Sequence, residues 1–203
     1  MSDATKPFPL ALLGLLFFAS GVAGLVYQVA WQRILFSSFG ADIESVTVVV
    51  SAFMLGLGLG ALVGGKLADR LERRRLYLFV ACEVAIGSYG FVSAHILRAG
   101  GEMFVASGLP TIAAVNFLLI VIPTLFMGAT LPVLVSYLAT LWANVGRATG
   151  HLYALNTLGA GLGALATGFW VFYWATLDQA IYMAATTNIA IALVSLAMLR
   201  RAK

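Results

Sequence analysis

Six long apolar stretches dominate the sequence and restrict the folds that are open to it. They cover residues 10–34, 46–67, 76–97, 113–137, 152–175 and 180–199. A helix needs about 20 apolar residues to cross a bilayer, and the stretches are continuous rather than alternating, which favours helices over barrel strands. Because 62% of the residues are hydrophobic and 10% are charged, polar residues are too few to cover a soluble core. The sequence predicts an all-α integral membrane protein, with six transmembrane helices in a single domain over residues 1–203.

The charged residues between these stretches indicate how the helices are oriented. Basic residues gather between the second and third stretches and at the C-terminus, at Lys66, Arg70, Arg73, Arg74, Arg75, Arg200, Arg201 and Lys203. By the positive-inside rule, this loop and both termini are expected in the cytoplasm, with the protein in the cell (inner) membrane. The net charge of +4 is therefore explained by topology. The expected partner is the lipid bilayer, and no nucleic acid is indicated.

One eleven-residue string occurs twice. Residues 55–65 read LGLGLGALVGG and residues 158–168 read LGAGLGALATG, with eight identical positions and an offset of 103 residues. The second and fifth helices should cross in opposite directions, so the copies resemble the inverted repeats of transporters, here with halves of about 1–103 and 104–203. The alternative is convergence, because small residues at every fourth position let helices pack closely.

The sequence contains no pattern typical of a metal, nucleotide or catalytic site. The glycine strings lack the preceding strand and the following acidic residue of a dinucleotide-binding motif. Cys82 is the only cysteine, and His95 and His151 are expected at opposite ends of the bundle. We therefore expect no metal, no cofactor, no catalytic residue and no enzymatic activity.

The basic loop carries a specific motif. Residues 65–75 read GKLADRLERRR, which resembles the G-x-L-A-D-R-x-G-R-R signature between the second and third helices of major facilitator proteins, with Glu72 in place of a glycine. In that family the aspartate and the arginines form a cytoplasmic latch. The resemblance implies this gating role for Asp69, Arg70, Arg73 and Arg74. The other interpretation is a basic loop that only sets topology.

A second resemblance covers nearly the whole chain. Its motifs are GLVYQVAWQR at 24–33, FMLGL at 53–57, MGATLP at 127–132 and LYALNTLG at 152–159. They are similar to the membrane domain of bacterial spermidine synthase-like proteins, which is major facilitator-like and often fused to a soluble aminopropyltransferase domain. The resemblance implies a fold like one half of a major facilitator transporter. The 203 residues contain no segment that looks like the soluble domain.

Polar residues inside the apolar stretches are costly, and are therefore candidates for binding a solute. Glu83 is the clearest, because a carboxylate there can exchange a proton, hold a cation or make a structural hydrogen bond. Tyr27 and Trp31 share one helical stripe, and Gln28 and Gln32 share the next. These four residues can bind an amine through cation-π and amide contacts, or they can form an aromatic belt at the membrane surface.

The last three stretches each contain one asparagine, at Asn116, Asn156 and Asn188. A buried asparagine can join helices or bind a ligand. Asn156 is the strongest candidate, because Tyr153 precedes it by one turn and a glycine string follows it. The candidate substrate-binding residues are Tyr27, Gln28, Trp31, Gln32, Glu83, Asn116, Tyr153 and Asn156.

The fourth stretch contains two prolines. Pro123 and Pro132 flank Gly128, and each proline removes a backbone hydrogen bond from the helix. We expect a kink, with carbonyl groups available to a polar cavity or with a hinge at this point.

These features favour a half-size major facilitator-like transporter that works as a homodimer. A single six-helix half has no enclosed path, and a second copy would complete the pore on a twofold axis. The expected cargo is a small solute such as a polyamine or another organic cation, moved by alternating access with protons as the proposed coupling ion. The alternative is a non-transporting membrane anchor for a separately encoded polyamine-related enzyme.

Overall fold

The computed structural model describes residues 10–40, 42–142 and 144–201, except the side chains of Phe39, Asp42 and Arg201. Within these ranges, six helices are long and apolar enough to cross a membrane, and no strand occurs. The predicted all-α class is confirmed. The helices are α1 (Leu10–Phe39), α2 (Asp42–Arg70), α3 (Arg75–Met103), α4 (Leu109–Trp142), α5 (Val145–Ala166), α6 (Phe172–Trp174) and α7 (Leu177–Arg201). A π-helical turn, Thr167–Val171, joins α5 to α6, so the three form the fifth crossing.

Most of the helices extend beyond the apolar stretches from which they were predicted. For example, α5 begins seven residues before residue 152, because Asn144 caps its N-terminus: the Asn144 Oδ1 accepts a hydrogen bond from the Arg147 backbone N–H at 2.9 Å. The start of α7 has a reciprocal cap between Thr176 and Gln179. Polar capping residues fix these ends, so hydropathy locates only the apolar middle of each helix.

Contacts between neighbouring helices establish their directions. Along α1, Ser20 contacts Glu83 and Trp31 contacts Ser93 of α3, in rising order, so the two helices run parallel. Between α3 and α7 the order falls: Glu83 contacts Asn188, whereas Arg98 pairs with Asp178, so these two helices run antiparallel. The predicted alternation of direction along the chain is therefore present in the packing of these helices.

The first glycine string forms the crossing between α2 and α4. Gly56 and Gly60 lie against Thr124 and the Leu125 carbonyl of α4, with so little space that a Cβ atom at either glycine would overlap them. Gly64 lies against Ala129 in the same way. The stripe is therefore occupied within the chain. It is therefore not free to form the contact between the two copies of the expected homodimer.

The second glycine string forms the crossing between α5 and α1. Gly159 faces the Phe18 carbonyl and Gly163 faces the Val22 carbonyl. The position that corresponds to Gly64 is Thr167, whose hydroxyl donates to the Gly163 carbonyl at 2.7 Å. The π-helical turn begins at this threonine.

Candidate functional site

A cavity of about 310 Å³ lies between the two glycine crossings. Its wall is formed mainly by α1, α2, α4 and α5, with one residue each from α3 and α7. The polar lining residues are Ser20, Gln28, Thr130, Tyr153, Asn156 and Asn188, and the larger apolar ones are Phe17, Leu25, Val50, Phe53, Met54, Leu57, Ile86, Met127 and Leu131. None of the described residues that line it is charged. The volume is at the lower end of that of sites for small organic ligands.

Glu83 lies directly behind this wall and is completely buried. Its Oε1 accepts a hydrogen bond from the Ser20 hydroxyl at 2.7 Å, and its Oε2 accepts one from the Asn188 Nδ2 at 2.7 Å. Both partners line the cavity. Among the described residues the only salt bridge joins Arg98 and Asp178, so no described cation pairs with Glu83. The carboxyl group thus joins α1, α3 and α7 through neutral partners alone.

The crossing of α1 and α5 positions a second polar group. Gly21 packs against the Asn156 backbone, and the Asn156 Nδ2 donates to the Phe17 carbonyl at 3.1 Å. Asn156 therefore joins two helices and also lines the cavity. Tyr153, one turn earlier, is 60% exposed and lies on the same wall.

The two prolines of α4 leave carbonyl groups without their helical donors. Pro123 deprives the Leu119 carbonyl of its donor, and the Tyr89 hydroxyl replaces it at 2.8 Å. Pro132 deprives the carbonyl of Gly128 in the same way, and Gly128 lines the cavity. Nevertheless α4 continues as one helix through both prolines. The first break is therefore filled by a neighbouring side chain, and the second places a backbone acceptor in a residue of the cavity wall.

Comparison with known families decides the class of this fold. Residues 12–203 match the Major Facilitator Superfamily, which is nearly the whole chain. The chain belongs to the Major Facilitator Superfamily. With six crossings in the described structure, it is a multi-pass membrane protein with an architecture consistent with half of that fold. No solved structure shows a significant match.

Curated relatives of this superfamily member are polyamine aminopropyltransferases. The one from Mycobacterium tuberculosis (strain H37Rv) is 29% identical over 164 residues, which are 74% of this chain and 28% of that protein. The one from Corynebacterium efficiens is 30% identical over 181 residues, which are 84% of this chain and 32% of that protein. The chain therefore spans about a third of the length of the curated relatives it matches. The resemblance to spermidine synthase-like proteins is confirmed at this level.

The aromatic and amide stripes of α1 have different environments in this major facilitator fold. Tyr27 and Trp31 stack with their ring centroids 4.9 Å apart and are fully buried, and the Trp31 Nε1 donates to the Ser93 hydroxyl at 3.0 Å. Neither lines the cavity, whereas Gln28 does. Gln32 is partly buried and lies outside the lining. Only Gln28 of the four is placed where it can touch a solute in this conformation.

Asn116 also lies apart from the cavity. It is buried in α4, and its Nδ2 donates to the Ile112 carbonyl at 3.2 Å. This is a local bond within one helix turn. Of the predicted binding residues, the structure thus brings Gln28, Tyr153 and Asn156 together around the cavity, with Glu83 behind them.

The predicted latch residues lie at the turn between α2 and α3. Asp69, Arg70, Arg73 and Arg74 are all exposed. Arg75, which the motif comparison did not single out, is the residue that makes contacts between helices: its Nε donates to the Ala68 carbonyl at 3.0 Å and its Nη1 to the Ser136 carbonyl at 3.2 Å. A cation beside the last carbonyl groups of α2 is favourably placed.

Two further cavity residues were not predicted as binding residues. Ser20 and Asn188 both hold Glu83 and both line the wall. A serine in an apolar helix is a weak signal, because serine hydroxyls often bond to their own helix. Asn188 was recognised as a polar residue in a membrane helix, but its importance depends on facing Glu83 across the α3–α7 contact.

Proposed function

We propose that this chain is a half-size major facilitator transporter that works as a homodimer and moves a small solute by alternating access. The observation that carries the proposal is the position of the cavity. Met54 and Tyr153 lie in its wall, and they are 70% and 60% exposed, so one six-helix unit leaves the cavity open on this side. A second copy facing it across a twofold axis would enclose the space and present each polar residue twice.

The packing pattern supports an inverted repeat as part of this proposal. α2 packs on α4, and α5 packs on α1. α3 packs on α4, and α1 packs on α7. Suppose that α1, α2 and α3 change places with α4, α5 and α7, respectively. The α2–α4 pair then becomes the α5–α1 pair, the α3–α4 pair becomes the α7–α1 pair, and the α3–α7 pair is unchanged. A duplicated unit inserted in opposite orientations gives this relation, with halves of about 1–103 and 104–203.

Coupling to protons is proposed for Glu83. Its environment of neutral partners makes a buried negative charge costly, and a proton that binds there changes the hydrogen bonds to Ser20 and Asn188. Because these three residues come from three helices, protonation can bias the relative positions of α1, α3 and α7. Gln28, Tyr153 and Asn156 are proposed to contact the solute from the cavity wall.

The turn between α2 and α3 is proposed as the cytoplasmic gate. Its exposed charges, Asp69, Arg70, Arg73 and Arg74, are available to a partner on the same side of the membrane. The charge distribution supports a cytoplasmic location for this turn and for both termini, and an inner-membrane location for the protein.

The test combines assembly and transport. Native mass spectrometry of the detergent-purified chain should give a dimer, and proteoliposomes should accumulate organic cations faster with a proton gradient than without one. A monomer under every mild condition contradicts the homodimer. Dimeric protein that accumulates no member of a broad panel of amines and organic acids contradicts the transporter.

Glu83→Gln separates coupling from a structural role. The variant keeps hydrogen-bonding oxygen and nitrogen atoms but cannot ionise, so we expect normal expression and dimerisation with loss of the dependence of uptake on pH. The control is Ser93→Ala, which alters another buried polar residue of α3, away from the cavity. Unchanged pH dependence in the Glu83→Gln variant removes Glu83 from the mechanism.

A second function is favoured by the curated relatives. They are aminopropyltransferases of which this chain matches about a third of the length, so a membrane anchor for a polyamine-related enzyme is the alternative proposal. It predicts no uptake, together with co-purification of a soluble aminopropyltransferase. Uptake by the isolated chain in liposomes contradicts it.

A further inference from the structure

The buried carboxyl of Glu83 lies one hydrogen bond away from the cavity. Its side chain is 0% exposed, although Ile86, one turn later in α3, lines the cavity. Ser20 is partly exposed and belongs to the cavity wall. Its hydroxyl donates to the Glu83 Oε1 at 2.7 Å. Ser20 therefore contacts both the cavity and the carboxyl group.

The two hydrogen-bond partners of Glu83 differ in what they can do with a proton. The Asn188 side chain is 2% exposed and offers its Nδ2 to the carboxyl, and an amide nitrogen donates hydrogen bonds but has no lone pair free to accept a proton. A serine hydroxyl has one donor and two acceptor lone pairs. Ser20 can therefore accept a proton on one side and give up its own on the other.

The titratable groups around Glu83 offer no second connection to the cavity. The Tyr27 hydroxyl of α1 and the Cys82 thiol of α3 interact electrostatically with Glu83, but both side chains are buried and lie outside the cavity lining. On the α7 side the carboxyl faces the Asn188 amide. Within the described part of the chain, the hydrogen-bonded path from the cavity to Glu83 thus runs through Ser20.

The cavity is suited to hold the water that such a path needs. Its volume is about 310 Å³, and water occupies about 30 Å³ per molecule, so several molecules fit. Gln28, Thr130 and Asn156 supply polar groups along the same wall. Water in the cavity can deliver a proton as a hydronium ion and can also receive one.

Resting on the coupling role proposed above for Glu83, we infer that Ser20 is the relay through which protons pass between the cavity and Glu83. A hydronium ion in the cavity gives a proton to the Ser20 Oγ. The Oγ–H bond directed at Glu83 breaks as an O–H bond forms on its Oε1, so the hydroxyl keeps one proton. The hydronium ion becomes water and the carboxylate becomes a neutral carboxyl group. The release of the proton reverses these steps.

This path gives the proton and the solute a common compartment. A solute that fills the cavity displaces the water beside Ser20 and interrupts the path. Glu83 then keeps its protonation state for as long as the solute is bound. The relay therefore sets the order of events in the proposed cycle: the carboxyl gains or loses its proton only while the cavity holds water.

The rate at which Glu83 gains a proton after a pH jump tests the relay. Time-resolved infrared difference spectroscopy of the purified full chain in detergent follows the carboxyl band, which is assigned by its loss in Glu83→Gln. Ser20→Val should slow the rise of this band about a hundredfold, whereas Ser20→Thr should keep the original rate. The two variants have the same shape and differ in the hydroxyl group, so equal rates in them overturn the inference.

Asn188→Leu provides a comparison on the other side of the carboxyl. It removes the second hydrogen bond to Glu83 and should change how much of the carboxyl is protonated at a given pH, with little effect on the rate. A slowing as large as that of Ser20→Val would place the path at Asn188 and overturn its assignment to Ser20.

Blocking the cavity tests the same path without altering Ser20. Leu57 and Leu59 are both exposed on α2, and Leu57 lines the cavity whereas Leu59 does not. A bulky thiol reagent on Leu57→Cys should slow the protonation of Glu83, and the same reagent on Leu59→Cys should not. Both variants contain the buried Cys82, so it affects them equally. Equal rates in the two labelled proteins mean that protons reach Glu83 outside the cavity, which overturns the inference even if the Ser20 variants do not fold.

Failure of the relay is distinguishable from failure of the transport function. Proton exchange is measured without a gradient or a solute, so exchange that depends on Ser20 in a protein without uptake rejects the transporter and keeps the relay. Uptake by a protein in which Ser20→Val and Ser20→Thr exchange protons equally fast rejects the relay and keeps the transporter.

Discussion

The two glycine strings solve the same packing problem, but the helices continue differently beyond them. In α2, three glycines at every fourth position lie against α4, and the helix continues in α-helical form to Arg70. In α5, two glycines lie against α1, the third position is Thr167, and the helix changes to a π-helical turn there. The glycine positions that the two strings share determine where each helix crosses its neighbour. The position at which they differ, Gly64 in one and Thr167 in the other, coincides with the change from α-helix to π-helical turn. π-helical turns are frequent at functional sites.

The largest effect is expected at Gly60, the middle glycine of the first string. Gly60→Val places a side chain against the Leu125 carbonyl of α4, a backbone group that cannot move alone, and overpacking of this kind costs about 3 kcal/mol. Thermal unfolding in detergent should show a large fall of the midpoint, or loss of monodisperse protein. The control is Gly58→Val in the same string, because nothing lies within 4 Å of a Cβ there. Equal stability of the two variants would mean that α2 does not cross α4 at the glycines.

A slightly smaller effect is expected at Gly159 in the second string. Gly159→Val meets the Phe18 carbonyl. This string contributes two glycines to its crossing, whereas the first string contributes three, and the cost should be about 2 kcal/mol. Gly161→Val is the matched control, since its Cβ has no neighbour within 4 Å. The same melting experiment applies. If Gly159→Val is tolerated as well as its control, the two strings are alike in sequence only.

Exchanging the differing residues sharpens the comparison further. Gly64→Thr brings a side chain against Ala129, where even a Cβ would lie 2.7 Å from the Ala129 Cβ, and should destabilise by about 2 kcal/mol. Thr167→Gly removes the bond to the Gly163 carbonyl and should cost about 1 kcal/mol. The order of the two melting midpoints is the readout. The reverse order would show that the threonine, rather than the third glycine, is the more important of the pair.

The smallest effect is expected after the second string, at the start of α7. Thr176→Ala removes the hydroxyl that accepts from the Gln179 backbone N–H at 3.2 Å, and loss of such a cap costs about 1 kcal/mol. The lowered midpoint should be accompanied by faster amide hydrogen exchange confined to the first turn of α7. A change that extends to α5 would instead mean that the two helices unfold together.

The number of the helices could be predicted because hydropathy depends on local composition, and their alternating direction follows from the number of crossings. The ends could not, since Asn144 and Thr176 lie in polar sequence and act by hydrogen bonds to the backbone. The glycine stripe of α2 was correctly seen as a packing surface, but its partner was not predictable. A small-residue stripe specifies close approach and leaves open which helix approaches, and here α4 of the same chain does so.

The candidate site was predicted only in part, because one of its residues stands out in the sequence by itself and the others depend on how the helices pack. The cost of burying a carboxyl group is a property of one residue, so Glu83 stood out in the sequence. The division of α1 into a core stripe and a cavity stripe depends on how α1 is rotated against α3, which explains why Trp31 is in the core and Gln28 is in the cavity wall. The contribution of Asn188 depends on the register of α3 and α7 and could not be derived from either helix alone. The binding and gating roles themselves stay predictions.

Arg75 has a mechanical consequence for the fold. One guanidinium group bonds to the Ala68 carbonyl of α2 and the Ser136 carbonyl of α4, and the glycine contacts hold the same two helices along their length. A slide of one past the other would break both sets of contacts, so α2 and α4 form a rigid plate, and α5 with α1 forms a second. The cavity lies along the seam between these plates. A small rotation of one plate against the other therefore changes the width of the cavity while the packing inside each plate is preserved.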